Sequence, residues 1–322
     1  MFAIDISSLP DAAQDVPQEG RRREVSSLPE KRSLSRFHPL LQAFAQRRIV
    51  MTHEQDIARH YEHGSLERAI LDALKAAGKD LDRLSHTDLA LVDEFHIGGR
   101  PATKDLGDQI DLPPGSRCLD IGSGIGGPSR YFSSERGWRI DGIDLTPEYV
   151  EIAQRLSQRV GIGNSVTYRQ GSATALAFAG ATFDGAYMLH VGMNIPDKAA
   201  VFAEVHRVLK PGGIFAIYDV MREGEGEISY PVPWASEPAT SHLESAASYE
   251  TMLRTAGFTV VKKRSRREFA LESMRRRAAQ AGPPGLGLPI VMGPTAAQKL
   301  ANMAAMVERG IFAPTEIISR AA

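Results

Sequence analysis

Cysteine is all but missing from this chain. Cys118 stands alone among 322 residues, so no internal disulfide and no cysteine-based zinc site can form. Long apolar runs are missing too. Without about 18 consecutive apolar residues, nothing in the sequence reads as a membrane-spanning helix. Excess charge of either sign is also lacking. Lys and Arg number 38 against 39 Asp and Glu, a formal net charge of -1, which offers no global attraction to phosphate backbones or anionic membranes. The first residues lack the basic-then-apolar layout of a secretory signal. These absences lead us to expect a cytoplasmic protein with neither membrane nor nucleic acid as partner. What remains is an ordinary globular composition, 43% hydrophobic and 24% charged, with material for one large domain or two modest ones.

Residues 1–50 read differently from the rest. Ser-Ser-Leu-Pro occurs at Ser7–Pro10 and again at Ser26–Pro29, amid charges without apolar periodicity. Such a segment buries too little to offset its ordering entropy and is expected to be a disordered extension. Asp5, Asp11, Asp15 and Glu19 argue against an acid-poor transit peptide. Met51-Thr-His-Glu-Gln resembles a natural start. We therefore place one domain at 51–322, with a helical cap over 51–110, a core over 111–265, a helical insertion over 266–312 and a last strand over 313–320.

Within the cap, Ala58, Tyr61, Leu66, Ile70, Leu71 and Leu74 recur at helical spacing and predict a helix from Ile57 to Ala77. Shorter helices are expected from about His86 and from about Ala102, on either side of Phe95-His-Ile-Gly-Gly-Arg100. After the turn signal Asp111-Leu-Pro-Pro-Gly115 the pattern becomes α/β. Strands are read at Arg117–Ile121, Arg139–Ile143, Val166–Arg169, Phe183–Leu189, Ile214–Val220 and Phe258–Lys262. The helices between them include one opened by Thr146-Pro147 and one over Pro196–Leu209. Two insertion helices, about Phe269–Gln280 and Thr295–Glu308, flank the Gly- and Pro-rich stretch Gly282–Pro289. Pro314–Ser319 reads as a seventh strand at the sheet edge. The alternation argues a doubly wound, mostly parallel sheet.

The chemistry-bearing segment is Asp120-Ile-Gly-Ser-Gly-Ile-Gly-Gly127, which follows the first strand. Glycines there let backbone approach a ligand at the carboxyl end of the sheet, and Asp144, closing the second strand, suits the hydroxyls of a ribose. Gly122, Gly124 and Gly127 also satisfy the dinucleotide fingerprint, so the glycines alone leave an NAD(P)-dependent oxidoreductase open. An N-cap role is the plain alternative for Asp144. Asp120, two residues before the first glycine, suits an ammonium and would repel a pyrophosphate.

Together, Cys118-Leu-Asp-Ile-Gly-Ser-Gly-Ile-Gly-Gly127, Ile143-Asp-Leu-Thr-Pro-Glu148 and the turn Leu209-Lys-Pro-Gly-Gly213 resemble the successive motifs of class I S-adenosylmethionine-dependent methyltransferases. The resemblance covers about residues 57–320. It implies a Rossmann-like seven-stranded sheet with the last strand antiparallel, and S-adenosylmethionine as cofactor. By matching position it implies that Asp120 and Gly122 line the methionine end and that Gly124 passes the ribose. Asp144 would hold the ribose hydroxyls, Leu145 would pack on adenine, and a carbonyl near Leu189 would meet the ammonium. Gln170-Gly-Ser-Ala173 stands where the family usually has Gly-Asp-Ala, its Asp taking the adenine amino group. Here Ser172, next to Ala173, would accept that bond at a cost of about 1 kcal/mol.

Missing chemistry excludes several branches. After the fourth strand stands His190-Val-Gly-Met-Asn-Ile195, without the Asn/Asp-Pro-Pro-aromatic loop of nucleic-acid amino-methyltransferases, a catalytic cysteine, or the paired glutamates of protein arginine methyltransferases. The basic run Lys262–Arg267 is read as a solvated face. What is left resembles small-molecule enzymes of the ubiquinone/menaquinone C-methyltransferase and sarcosine/dimethylglycine N-methyltransferase types. Met193-Asn-Ile-Pro-Asp-Lys198 and Ser229-Tyr-Pro-Val-Pro-Trp234 lean toward the second. We expect methyl transfer to a small-molecule amine, with a quinone or other C- or O-acceptor as the alternative. A non-catalytic binding protein of the same fold is the rival class, and a second copy of the chain is kept open as a partner. His96 and His190 are the candidate catalytic bases, with His242 and His206 weaker and His206 read as solvated. Tyr61 and Arg100 are candidates to close over the methionine carboxylate, and Asn194 and Trp234 to face the acceptor, with 222–242 as a lid. No metal ligands are expected.

Overall fold

The computed structural model describes residues 53–62, 64–279 and 286–322. The disordered extension expected over 1–50 and the first half of the Gly- and Pro-rich stretch fall outside them.

Residues 53–61 form helix α1, and α2 (Leu66–Ala76), α3 (His86–Asp93) and α4 (Gly99–Gly107) complete the cap. The single helix predicted over Ile57–Ala77 is in fact two. The chain turns at Gly64, whose φ is +66° and whose N–H donates to Glu148 at 2.9 Å; a positive φ suits glycine and ends a helix. Leu66, Ile70 and Leu74 lie on one face of α2 and pack on Tyr149, Ile152 and Leu156 of α6 (Pro147–Arg159).

The core is a seven-stranded sheet in the order β3-β2-β1-β4-β5-β7-β6. β1 (Arg117–Ile121), β2 (Arg139–Asp144), β3 (Val166–Gln170), β4 (Phe183–Leu189) and β5 (Leu209–Arg222) are parallel. β7 (Phe312–Ala321) runs antiparallel to both β5 and β6 (Phe258–Ser265). Strand order reverses between β1 and β4, which is where open α/β sheets form a ligand crevice. Successive side chains alternate between faces. Leu119 and Ile121 pack toward α7 (Lys198–Val208) and α8 (Ala246–Thr255), while Cys118 packs toward α4 and α5 (Gly127–Arg136).

The last strand departs from expectation. Pro314–Ser319 was predicted at the edge, yet β7 spans ten residues, all buried except Arg320, between β5 and β6. Its buried polar residues are satisfied within the fold, Glu316 by Arg264 and Arg266 and the Ser319 hydroxyl by the Phe215 carbonyl. The edge is β6, where exposed lysines blunt further pairing. The basic run there is largely spent on ion pairs: Lys263 with Glu250, Arg264 and Arg266 with Glu316, and Arg266 with Asp105. His206 is likewise not solvated. Its ring packs edge-on against Phe258 at 5.2 Å, beneath the close approach of Gly257.

The insertion supplies α9 (Arg267–Ala279), α10 (Pro289–Met292) and α11 (Ala296–Glu308), which cover the carboxyl edge from the β7 side. A buried arginine fixes the glycine loop from the other side. Arg130, fully buried on α5, donates to Asp93 Oδ2 at 2.9 Å and to the Ile125 carbonyl at 2.7 Å. Gly127 permits this contact with α3, since a Cβ there would stand 1.9 Å from the Asp93 carbonyl oxygen.

Candidate functional site

A cavity of about 260 Å³ opens over the carboxyl ends of β1 to β4, roofed by α1 and by the insertion helices. Its floor is built by strand ends. Asp120 lies one residue before the end of β1, almost wholly buried, and its Oδ2 accepts the Ser129 hydroxyl at 2.6 Å. Burial pushes the carboxyl up to about 7, against the pull of hydrogen bonds from Ser129 and Tyr187. The loop beyond it turns through Gly122 and Gly124 at positive φ. A side chain at Gly122 would collide with Val191, whereas Gly124 faces open space.

Asp144 ends β2. Its Oδ2 accepts the Gly124 N–H at 2.8 Å and its Oδ1 accepts the Thr146 N–H at 2.9 Å. The N-cap of α6 is Thr146, so the N-cap reading of Asp144 does not hold; the Asp144 carboxylate instead ties together the backbone of the glycine loop and of the turn into α6. Each oxygen of an ionised carboxylate keeps a further lone pair, and Asp144 lines the cavity with Leu145 beside it. Burial raises its pKa, opposed by those backbone bonds. Past β3, Ser172, Ala173 and Thr174 line the same wall. Ser172 does not act as the free acceptor expected of it. Its hydroxyl donates to Glu54 of α1, and its Oγ accepts the Thr174 N–H at 3.2 Å.

The two candidate histidines separate cleanly. His190 follows Leu189 at the end of β4 with φ +55°, an uncommon conformation for a residue with a side chain. Its Nδ1 donates to the Tyr218 carbonyl at 3.1 Å and its Nε2 accepts the Ile97 N–H at 3.3 Å. Both nitrogens are used, and burial pushes the ring's pKa down to about 4. His190 joins β4, β5 and the Phe95–Arg100 loop as part of the wall. His96 is different. Its Nε2 lies 3.1 Å from the Gly99 carbonyl oxygen and 3.0 Å from Thr103 Oγ1. Because the Thr103 hydroxyl donates to buried Glu94, both neighbours can only accept, so Nε2 carries the proton. Nδ1 keeps its lone pair, and among the described residues none hydrogen-bonds to it. Burial, with His190 nearby, pushes His96 down to about 3, so the ring is neutral.

Other candidates are placed otherwise than expected. Arg100 does not reach the cavity. It pairs with Glu94, donates to His86 and stacks 4.9 Å from the Tyr131 ring centroid. Tyr61 lines the cavity, but its hydroxyl donates to Asn194 Oδ1 at 3.0 Å. Asn194 in turn donates to the Trp234 carbonyl at 2.7 Å and the Thr240 carbonyl at 3.1 Å. It ties loops together rather than presenting an amide. Trp234 is 2% exposed, packs edge-on against Phe312 at 5.3 Å, and donates its indole N–H to Ser241 at 3.0 Å. The indole is part of the packing, with one edge on the cavity. Among the described residues no cluster of His, Cys, Asp and Glu is arranged to hold a metal ion, and no helix is long and apolar enough to cross a membrane.

Residues 119–217, which carry this floor, match the family model described as a methyltransferase domain. The chain carries a methyltransferase domain. It is 31% identical over 196 residues to the 2-methyl-6-phytyl-1,4-hydroquinone methyltransferase of Synechocystis, a match covering 51% of this chain and 61% of that one. The geranyl diphosphate C-methyltransferase of Streptomyces coelicolor superposes with a TM-score of 0.61 at 16% identity, covering 84% of this chain and 98% of that one. A protein assigned as a sarcosine dimethylglycine methyltransferase from Galdieria sulphuraria superposes with a TM-score of 0.55 at 22% identity, covering 68% and 84%. The chain spans 33% to 61% of the length of the first curated relatives it matches. The superpositions bear on the fold alone.

Around the methyltransferase domain lie residues of the candidate site that sequence reasoning passed over. His53, Glu54 and Ile57 of α1 line the cavity, although the sequence offered Met51–Gln55 only as a start. Glu94 and Thr103 stand behind His96. The one available signal was local: Glu94 lies two residues before His96, beside the Gly-Gly turn that folds α4 back onto it. Met274, Arg277, Met292 and Met303 of the insertion complete the roof; nothing in their spacing marks them apart from core.

Proposed function

We propose that this protein transfers a methyl group from S-adenosylmethionine to a small-molecule acceptor with an apolar body. One observation carries the reading. Asp120, Asp144 and Ser172 stand in a row at the ends of three adjacent strands, along the cavity that His96 also lines. A nucleoside joined to an amino acid fits that row. Asp144 offers its remaining lone pairs to two ribose hydroxyls, Gly124 leaves room for the sugar, and Asp120 meets an ammonium. Ser123 Oγ, buried with no partner among the described residues, is a further donor for the ligand. The pyrophosphate of a dinucleotide would instead meet the Asp120 carboxylate. When bound, S-adenosylmethionine supplies an electrophilic methyl group whose leaving sulfur needs no acid.

The chain's own work is alignment, exclusion of water and removal of the acceptor's proton. As the new bond to the methyl group forms, the acceptor's proton turns strongly acidic and passes to His96 Nδ1 despite that ring's lowered pKa, while Nε2–H stays on Gly99 and Thr103. Glu94, behind Thr103, stabilises the resulting imidazolium and is balanced by Arg100. Methyltransferases similar to this chain act on both kinds of atom by name, sterol and geranyl diphosphate carbons or phosphoethanolamine nitrogen. Ile97, Met193, Val291, Met292, Leu300 and Met303 line the acceptor side, and Trp234 is engaged with Phe312. That wall favours a C- or O-acceptor with an apolar body over the compact amine.

Calorimetry with S-adenosylmethionine and with NADH tests the donor. Transfer of an isotope-labelled methyl group to panels of apolar enols, phenols and amines, read by mass spectrometry, tests the acceptor. We expect S-adenosylmethionine to bind the more tightly and an apolar acceptor to gain the label. His96→Gln should lower kcat by about 10²–10⁴-fold with little change in KM. Tighter binding of NADH, or no binding of S-adenosylmethionine, overturns the reading.

A further inference from the structure

The end of the cavity beyond β3 holds a carboxylate that belongs to no strand. Glu54 comes from α1, 118 residues away in sequence, and its Oε1 accepts the Ser172 hydroxyl. The strand order then gives it meaning. β1, β2 and β3 are consecutive neighbours, so a ligand with its ammonium at Asp120 and its ribose at Asp144 puts its base over the end of β3. Ser172 cannot serve as a free acceptor there. Its proton goes to Glu54, and its oxygen takes the Thr174 N–H and lies 2.8 Å from Thr174 Oγ1. Glu54 Oε2, by contrast, has no hydrogen-bond partner among the described residues.

We propose that Glu54 is the residue that reads the base: its carboxylate accepts the exocyclic amino group of adenine, and Ser172 holds it in place. This rests on the S-adenosylmethionine reading and deepens it by assigning base specificity to the cap rather than to the sheet. It also couples the ligand to the roof. α1 is pinned elsewhere by His53 Nε2 to the Asn194 carbonyl at 3.1 Å and by the Tyr61 hydroxyl to Asn194 at 3.0 Å. Ile57, between these points, is buried against the cavity. A ligand that engages Glu54 therefore adds a tie between α1 and the β3 end and holds the helix across the site.

The test is calorimetry on the full chain with S-adenosylhomocysteine and S-inosylhomocysteine, in which a carbonyl replaces the amino group. The native protein should prefer the adenosyl compound at least tenfold, because a carboxylate repels a carbonyl oxygen. In Glu54→Gln the amide can donate to that oxygen, so the preference should fall below threefold or invert, with the inosyl affinity unchanged or higher. Ser172→Ala removes the anchor alone; it should weaken the adenosyl compound two- to fivefold and keep the preference. An unchanged preference in Glu54→Gln, or equal losses for both compounds, overturns the assignment and leaves the donor reading standing. If the native protein binds neither compound, the donor reading itself falls, and this one with it.

Discussion

The two halves of the cavity are built on different principles. On the cofactor side, Asp120, Gly124 and Asp144 sit at strand ends, where the sheet fixes the backbone and leaves polar atoms facing the cavity. On the acceptor side, Asn194, Trp234, Tyr61 and His190 spend their polar atoms on one another and on neighbouring carbonyls. The surface they present is mostly apolar. The contrast follows from what each side has to do. A charged nucleoside must be met by charge and hydrogen bonds, each oriented to within tenths of an ångström. An apolar acceptor needs shape and dryness, and polar residues near it must be satisfied elsewhere to stay buried.

The sharpest way to break that contrast is Trp234→Ala. If the indole is packing, its removal leaves a cavity against Phe312 and an orphaned Ser241, at a cost of about 3–5 kcal/mol. Calorimetric melting should then show Tm falling on the order of 10 °C, with donor and acceptor affinities declining together. Trp234→Phe should recover most of the loss, since it keeps the ring contact. An unchanged Tm with a rise in acceptor KM alone would make Trp234 a substrate contact and remove the contrast between the halves.

Asp144→Ala probes the other half and should have a smaller effect on the fold. Loss of the ribose contacts weakens S-adenosylmethionine binding at least tenfold, about 1.5–3 kcal/mol for bonds to a charged group. The Gly124 and Thr146 N–H groups lose their acceptor as well, which costs about 1–2 kcal/mol of stability. Titration calorimetry and melting curves on the same samples check both. Affinity within twofold of the native value would reduce Asp144 to an acceptor for the Gly124 and Thr146 N–H groups.

The same division explains what the sequence made legible. Glycines at positive φ, an acid closing a strand and a Pro-opened helix are local requirements, so the loop from Asp120 to Gly127 and the site at Asp144 could be read in place. The acceptor half is assembled from segments distant in sequence. His190 and His96 look alike in one dimension; only the Thr103–Glu94 contact and the Ile97 N–H distinguish them. Glu54 carried no signal because its partner lies beyond three strands. Arg100 misled for a physical reason: the turn at Gly98 and Gly99 aims it back toward Glu94. The place of β7 was equally hidden, since Thr315, Glu316, Ser319 and Arg320 interrupt its apolar residues and nothing in them names the strands on either side.

The smallest effect sharpens the contrast most, because it belongs to a single group. Asp120 is held near 7 by burial, so in the free protein at pH 6 its carboxyl is mostly protonated. An ammonium placed beside it favours the ionised form, and binding at that pH must release a proton. S-adenosylmethionine affinity should therefore rise with pH by up to tenfold per unit below about 7, then level off. Stability of the free protein carries the opposite sign. Between the ordinary carboxyl value of 3.8 and about 7 the folded state keeps a proton that the unfolded chain has lost. Asp120 thus costs progressively more stability as pH rises through that window, and bound ligand offsets the cost. Calorimetry at pH 6 and pH 8, in pairs of buffers with different ionisation enthalpies, counts the protons directly. Asp120→Asn should abolish the slope while weakening binding at pH 8. A flat affinity in the native protein, or the same slope in the variant, would place the ammonium elsewhere and leave Asp120 as a buried partner of Ser129 and Tyr187.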